Sequence, residues 1–152
     1  MEVYLVRHAK AGSRSRYEGD DTERPLSDKG RAQAEALATR LATAGVTALL
    51  SSPYTRCMQT LEPLAEALGL PIEPTASLAE GAGPDAALAL LESTDAPIVL
   101  CSHGDVIGDV VNRLARRGVP VCGDGLEKGS VWVLTVASGE VTAARYDPPP
   151  TA

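Results

Sequence analysis

Short apolar runs alternate along the chain with longer stretches in which apolar residues recur every three or four positions. Val3-Tyr4-Leu5-Val6 is a continuous apolar run of the kind shown by a strand buried on both faces. Residues 10–26 are polar and punctuated by Gly12, Gly19 and Pro25, which predicts a loop. At 17 residues this loop is longer than most connections, and such loops tend to be functional or disordered. Ser27 then stands where an N-cap should, ahead of a helix reaching about Ala44, with Gly45 as its stop. Ala34, Leu37, Ala38 and Leu41 fall at i, i+3, i+4 and i+7 and form one buried face.

Val46–Ser51 predicts a second strand, and Ser52-Pro53 the start of a second helix, 53–68, which Pro63 should kink or divide. Pro71–Pro74 predicts a short edge strand, since each proline lacks a ladder donor. Pro84–Ser93 reads as a short helix, Pro97–Cys101 as a third buried strand, and Gly104–Arg117 as a helix ended by Gly118. Ser130–Val136 and Val141–Tyr146 flank Ala-Ser-Gly-Glu and predict a terminal hairpin. The alternation predicts one three-layer α/β/α domain over residues 1–146, with a mostly parallel central sheet and a C-terminal antiparallel hairpin. Residues 147–152, with three consecutive prolines, are expected to form a flexible tail.

Composition narrows the class. The 152 residues, 44% hydrophobic and 22% charged, suit one globular domain. No run of 18 apolar residues occurs, and the first strand begins without a signal-peptide pattern, so no membrane association and a cytoplasmic location are expected. A net charge of −6 argues against a general nucleic-acid coat, and five aromatics with no Phe leave no base-stacking platform. The charge is uneven. Residues 1–60 hold 9 Lys and Arg against 7 Asp and Glu, whereas residues 61–152 hold 5 against 13. Arginines gathered early in an acidic chain suggest a small anionic ligand, although most are surface charges. Cys57, Cys101 and Cys122 form no C-x-x-C pair, which suits free thiols in a reducing compartment.

In open α/β sheets, ligands bind beyond the carboxyl ends of the strands. The first predicted strand ends in Arg7-His8, the second in Ser51-Ser52-Pro53 with Arg56 in the next turn, and the third in Ser102-His103-Gly104. Both histidines of the chain thus occupy equivalent positions, although 95 residues apart. One such histidine would read as a packed residue; two, with two arginines, read as a convergent anion site. Neutral imidazole is a good nucleophile near pH 7, and planar guanidinium groups match a transferring phosphoryl group. Such a site needs no metal and no other cofactor.

Leu5-Val6-Arg7-His8, the segment Ser52-Pro53-Tyr54-Thr55-Arg56-Cys57-Met58-Gln59-Thr60, and Ser102-His103-Gly104, in that order, resemble the histidine phosphatase superfamily, which includes phosphoglycerate mutases. Pro25-Leu26-Ser27-Asp28-Lys29-Gly30 and Gln33-Ala34 also fit the family's first helix. The resemblance implies that His8 attacks phosphorus and forms a phosphohistidine, which water hydrolyses, while Arg7, Arg56, His103 and Gly104 bind the phosphoryl oxygens. It makes Glu80, in Leu78-Ala79-Glu80, the candidate general acid, although Gly81-Ala82-Gly83-Pro84 departs from the mutase pattern and a loop glutamate is often only solvated. Ala9 stands where the family commonly has glycine.

The short chain resembles the compact SixA-type phosphohistidine phosphatases more than members with insertions over the site. Arg7 through Asp21 and Lys128 through Leu134 are similar to the phosphatase-like C-terminal domain fused to some MutT-type Nudix hydrolases, although no Nudix signature is present. A Nudix hydrolase is therefore an expected partner. Arg14 and Arg16 are expected at the mouth of the site, meeting a substrate's distal phosphates, unless they are solvent-facing loop arginines. The expected substrate is a phosphorylated small molecule, a nucleotide or a phosphoprotein.

Rival chemistries fare less well. Six positions after Cys57 and Cys101 stand Pro63 and Ile107, so no C-x5-R phosphatase loop exists. P-loop and G-x-S-x-G motifs are absent. A metal site joining Asp105 to His103 lacks ligand-spaced histidines. A non-catalytic phosphate-binding module and a phosphomutase remain the alternatives.

Overall fold

The computed structural model describes residues 1–151. In chain order the elements are β1 (Glu2–Arg7), α1 (Asp28–Leu41), β2 (Ala48–Ser51), α2 (Thr55–Leu68), β3 (Ile72–Pro74), α3 (Asp85–Ser93), β4 (Ile98–Ser102), α4 (Gly104–Arg116), β5 (Val121–Cys122), β6 (Val131–Ala137) and β7 (Glu140–Asp147). Among the described residues these strands form one seven-stranded sheet, ordered β3-β2-β4-β1-β6-β7-β5. The pairs β3-β2, β2-β4 and β4-β1 are parallel, whereas β6 is antiparallel to both β1 and β7. The expected mixed α/β fold with a C-terminal hairpin is therefore present.

The alternation of side chains along each strand divides the core into two layers. Val3 and Leu5 of β1, Leu100 of β4 and Trp132 and Leu134 of β6 pack against α3 and α4 through residues such as Leu88, Leu91, Val110 and Leu114. Tyr4, Val6, Val99, Cys101 and Val133 face the other way and meet α1 and α2 through Leu37, Leu41, Cys57, Leu61 and Leu64. A strand with helices on both faces needs apolar residues at every position, and Val3–Val6 supplies them.

Several expectations need correction. Helix α2 begins at Thr55, two residues beyond Pro53, and runs through Pro63 undivided. Proline removes one backbone donor, yet Leu61 and Leu64 on either side of it stay buried, so packing holds the helix together across the gap. The first helix ends at Leu41, before the expected Ala44, and the chain then turns through Gly45 at φ 74°. Asp147, assigned by sequence to the tail, pairs with Val131 as the last residue of β7. Pro149 and Pro150 are half-buried, with Pro150 beside Ala36 and Arg40 of α1, and Ala152 of the expected tail lies outside the described residues. Strand β5, a two-residue edge strand, was not legible in sequence.

The loop of residues 10–26 is fastened at several points. Ser27 caps α1 by accepting from the Gly30 amide at 3.2 Å, and its own amide donates to the Lys10 carbonyl at 3.0 Å. Gly30 is where that carbonyl lies against α1, and a β-carbon there would overlap it. Within the loop, Ala11 bridges Leu26, and Asp21–Glu23 form a 3-10 turn capped by Asp20.

Candidate active site

The parallel strands β1, β2 and β4 end on one side of the sheet, bringing together Arg7-His8, Ser51-Ser52 and Ser102-His103. His8 and His103 are both buried, with ring centroids 5.5 Å apart in an edge-on arrangement. Nδ1 of His8 lies 2.8 Å from the Ala9 carbonyl oxygen. A carbonyl only accepts, so Nδ1 carries the proton and Nε2 keeps its lone pair. Burial, aided by repulsion from His103, Arg56 and Arg7, pushes the His8 pKa down to about 3, so the ring is neutral. Ala9, the departure from the family's glycine, sits without a positive φ, and its amide donates to Thr60 Oγ1 at 2.9 Å. Thr60 in turn donates to the Arg56 carbonyl at 2.7 Å, joining β1 to α2.

His103 occupies the N-cap position of α4, and its side chain does not cap the first-turn amides of Gly104 and its neighbours. Its Nε2 is 2.8 Å from Ser52 Oγ and 3.5 Å from Cys57 Sγ, and Tyr54 packs edge-on at 4.7 Å. Burial raises the Cys57 thiol pKa, but contacts with Cys101, His103 and Ser52 outweigh it and hold it below its ordinary value. Arg7 lies against Gly104, where a β-carbon would come within 3.0 Å of the guanidinium carbon, and it donates to the Leu126 carbonyl. Burial lowers the Arg7 pKa from its ordinary value. Arg7 Nε, Arg56 Nε and His103 Nδ1 are buried nitrogens without a hydrogen-bond partner among the described residues. Buried polar groups are rarely left so, and two of these three side chains, Arg7 and His103, face a pocket in which an anion could partner them.

Above this floor opens a pocket of about 600 Å³, whose wall includes Arg7, His8, His103, Gly104, Arg14 and Glu80. Ser102 Oγ donates to the Leu78 carbonyl at 2.7 Å, and the Gly81 amide donates to Asp105 at 2.8 Å, which brackets the loop carrying Glu80. Glu80 meets Arg14 at 3.1 Å and Arg56 at 3.7 Å. Arg56 is 1% exposed and does not line the pocket; it donates to the Asp21 carbonyl at 2.8 Å and to Asp21 Oδ2 at 3.2 Å. Arg16 is exposed on the loop and stands apart from the pocket wall. Sequence reasoning missed Asp21, which also accepts from Arg24 at 2.9 Å and faces Arg14 at 3.6 Å. The Arg24 hydrogen bond, with the nearby Arg56 and Arg14, lowers its pKa from the usual carboxylate value. It missed Lys10, Arg24 and Lys128 as well, which line the same pocket. Their positions depend on how distant loops meet, and no local spacing signals it.

The model of the histidine phosphatase superfamily (branch 1) matches residues 3–86, more than half of the chain. The chain belongs to the histidine phosphatase superfamily. As a superfamily member it is 43% identical, over 97% of its length, to an 8-oxo-(d)GTP phosphatase of Mycolicibacterium smegmatis. It spans about half of that relative, 48% of its length. Among solved structures, the protein histidine phosphatase SixA complexed with tungstate superposes with a TM-score of 0.78 at 22% identity, covering 99% of this chain and 97% of that one. A putative phosphohistidine phosphatase SixA from Agrobacterium tumefaciens gives 0.71 at 26% identity, covering 88% and 90%. The superfamily and its phosphatase-named members support a hydrolase acting on phosphate esters, as the sequence led us to expect. No helix among the described residues is long and apolar enough to cross a membrane.

Proposed function

We propose that this histidine phosphatase takes a phosphoryl group from a phosphorylated substrate onto Nε2 of His8 and releases it to water. The observation that carries this reading is the His8–Ala9 hydrogen bond, which leaves Nε2 unprotonated on a buried, neutral ring. Arg7, His103 and the N-terminus of α4 at Gly104 share the pocket wall with His8 and would hold the phosphoryl oxygens as charge spreads over them. Arg56 acts from behind the pocket wall, fixed by Asp21, and holds Glu80. Glu80 is our candidate for protonating the leaving oxygen and then taking the proton of the attacking water. The other carboxylate of the wall, Asp105, is engaged by the Gly81 amide.

The substrate class comprises phosphorylated small molecules, nucleotides and phosphoproteins. The Nudix partner expected from sequence finds no support in the fold or in the relatives' names. The test is single-turnover labelling with radiolabelled acetyl phosphate and phosphoramidate, comparing wild type with His8→Ala. We expect an acid-labile, alkali-stable phosphoenzyme in wild type alone. Equal labelling of the two proteins would remove His8 as the nucleophile. Label that moves to an added acceptor rather than to water would make the enzyme a mutase.

A further inference from the structure

The pocket that holds His8 carries far more positive charge than one phosphoryl group requires. Its wall contains five cations, Arg7, Lys10, Arg14, Arg24 and Lys128, against two carboxylates, Glu80 and Asp105, in a protein whose net charge is −6. Arg14 and Arg24 are paired with Asp21 or Glu80, whereas Lys10 and Lys128 form no ion pair among the described residues. Their placement is built. Gln33 of α1 accepts from the Lys10 amide at 2.9 Å and donates to the Lys128 carbonyl at 3.3 Å, so one side chain holds both lysine-bearing segments. The next residue, Gly129, has φ 83° and donates to the carbonyls of Arg7 and His8, which pins Lys128 beside the nucleophile's strand. Burial and then repulsion from Arg7, Arg24, Lys10 and Arg14 lower the Lys128 pKa, as expected where like charges are gathered.

We propose that Lys10 and Lys128 form a second anion subsite, for the penultimate phosphate of a small-molecule polyphosphate whose terminal phosphoryl group lies at His8. This assignment of substrate class rests on the phosphatase reading above. In the reaction His8 Nε2 bonds to the terminal phosphorus, the bridging P–O bond breaks, and its electron pair leaves with the shortened polyphosphate. Water then attacks the phosphohistidine, the N–P bond breaks back to His8, the water's proton passes to Glu80, and orthophosphate departs. A departing polyphosphate oxygen is stable without a proton, so this substrate asks less of Glu80 than an alcohol ester does.

Calorimetric titration at fixed ionic strength tests the subsite without turnover, with orthophosphate, pyrophosphate and tripolyphosphate as probes. Wild type should bind tripolyphosphate at least about tenfold more tightly than orthophosphate, and Lys10→Gln/Lys128→Gln should abolish that preference. Arg145→Gln, remote from the pocket, should retain it. Equal affinity for the probes in wild type, or an unchanged preference in the double variant, overturns the subsite. Steady-state kinetics extend the test: the ratio of kcat/KM for a nucleoside triphosphate to that for a monoester should fall about tenfold or more in the double variant. The labelling of His8 is read separately, so phosphoenzyme formation without polyphosphate preference refutes this inference alone, and polyphosphate binding without a phosphoenzyme refutes the mechanism alone.

Discussion

At the floor of the pocket, His8 and His103 stand on the ends of adjacent parallel strands, each buried and oriented by a backbone or hydroxyl group within 2.8 Å. At the rim, Arg14 is mostly exposed, at 63%, and among the described residues is held by Asp21 and Glu80, themselves on loops. The floor owes its geometry to β-ladder hydrogen bonds and close packing, so its groups are fixed before a ligand arrives. The Arg14 side chain owes its position to ion pairs in high dielectric, which are individually weak and screened by salt. On the proposed mechanism, this difference assigns the chemistry to the floor and substrate discrimination to the rim.

The sharpest way to break this division is Arg7→Ala. Loss of a preorganised cation at the reacting phosphorus should lower kcat/KM by about 10²-fold or more, with little change in melting temperature, measured on a simple monoester. A drop below tenfold would move catalytic charge stabilisation to the rim. Next comes Gly30→Ala, which leaves every floor residue in place but pushes a β-carbon onto the Lys10 carbonyl. We expect about 2 kcal/mol of destabilisation by denaturant unfolding and a displaced rim loop. An unchanged midpoint would mean that the loop is not fixed through this contact.

How far these features could be read from sequence follows the same division. The strand ends, the Ser27 cap and the Arg7, His8 and His103 positions were legible because apolar runs and neighbouring residues determine them. Asp21, Lys10 and Lys128 were not, since their role depends on loops that meet through Gln33, Gly129 and Arg56 from distant parts of the chain. Arg14 and Arg16 looked equivalent in sequence, yet the turn between Ser13 and Tyr17 directs only Arg14 to the pocket. Pro63 warned of a broken helix because propensity is local, whereas burial on both sides of it is not.

A pH experiment sharpens the comparison further. The folded protein holds His8 neutral down to about 3, while an unfolded histidine protonates near 6.5. Between those values the unfolded chain binds the extra proton, so this contribution to stability is complete above about 6.5 and is lost progressively as pH falls toward 3. The slope is at most roughly 1.4 kcal/mol per pH unit, and His8→Ala should flatten it in unfolding titrations. A slope the same in both proteins would show that His8 is not held neutral by the fold. The smallest effect is expected at Arg14→Gln, a few-fold change in KM that shrinks as salt is added. A large, salt-independent loss of kcat would instead make Arg14 part of the floor.

Strand β1 has one further consequence, for how the protein is made. Its residues pair with Val99–Ser102 on one side and Val131–Thr135 on the other, so this strand must wait for partners synthesised after it. Contacts of such long range are slow to form because the intervening chain must close a large loop. The segment carrying His8 also relies on the Gly129 amide, which reaches the Arg7 and His8 carbonyls. Recovery of activity during refolding should therefore report completion of the whole sheet and lag behind helix formation.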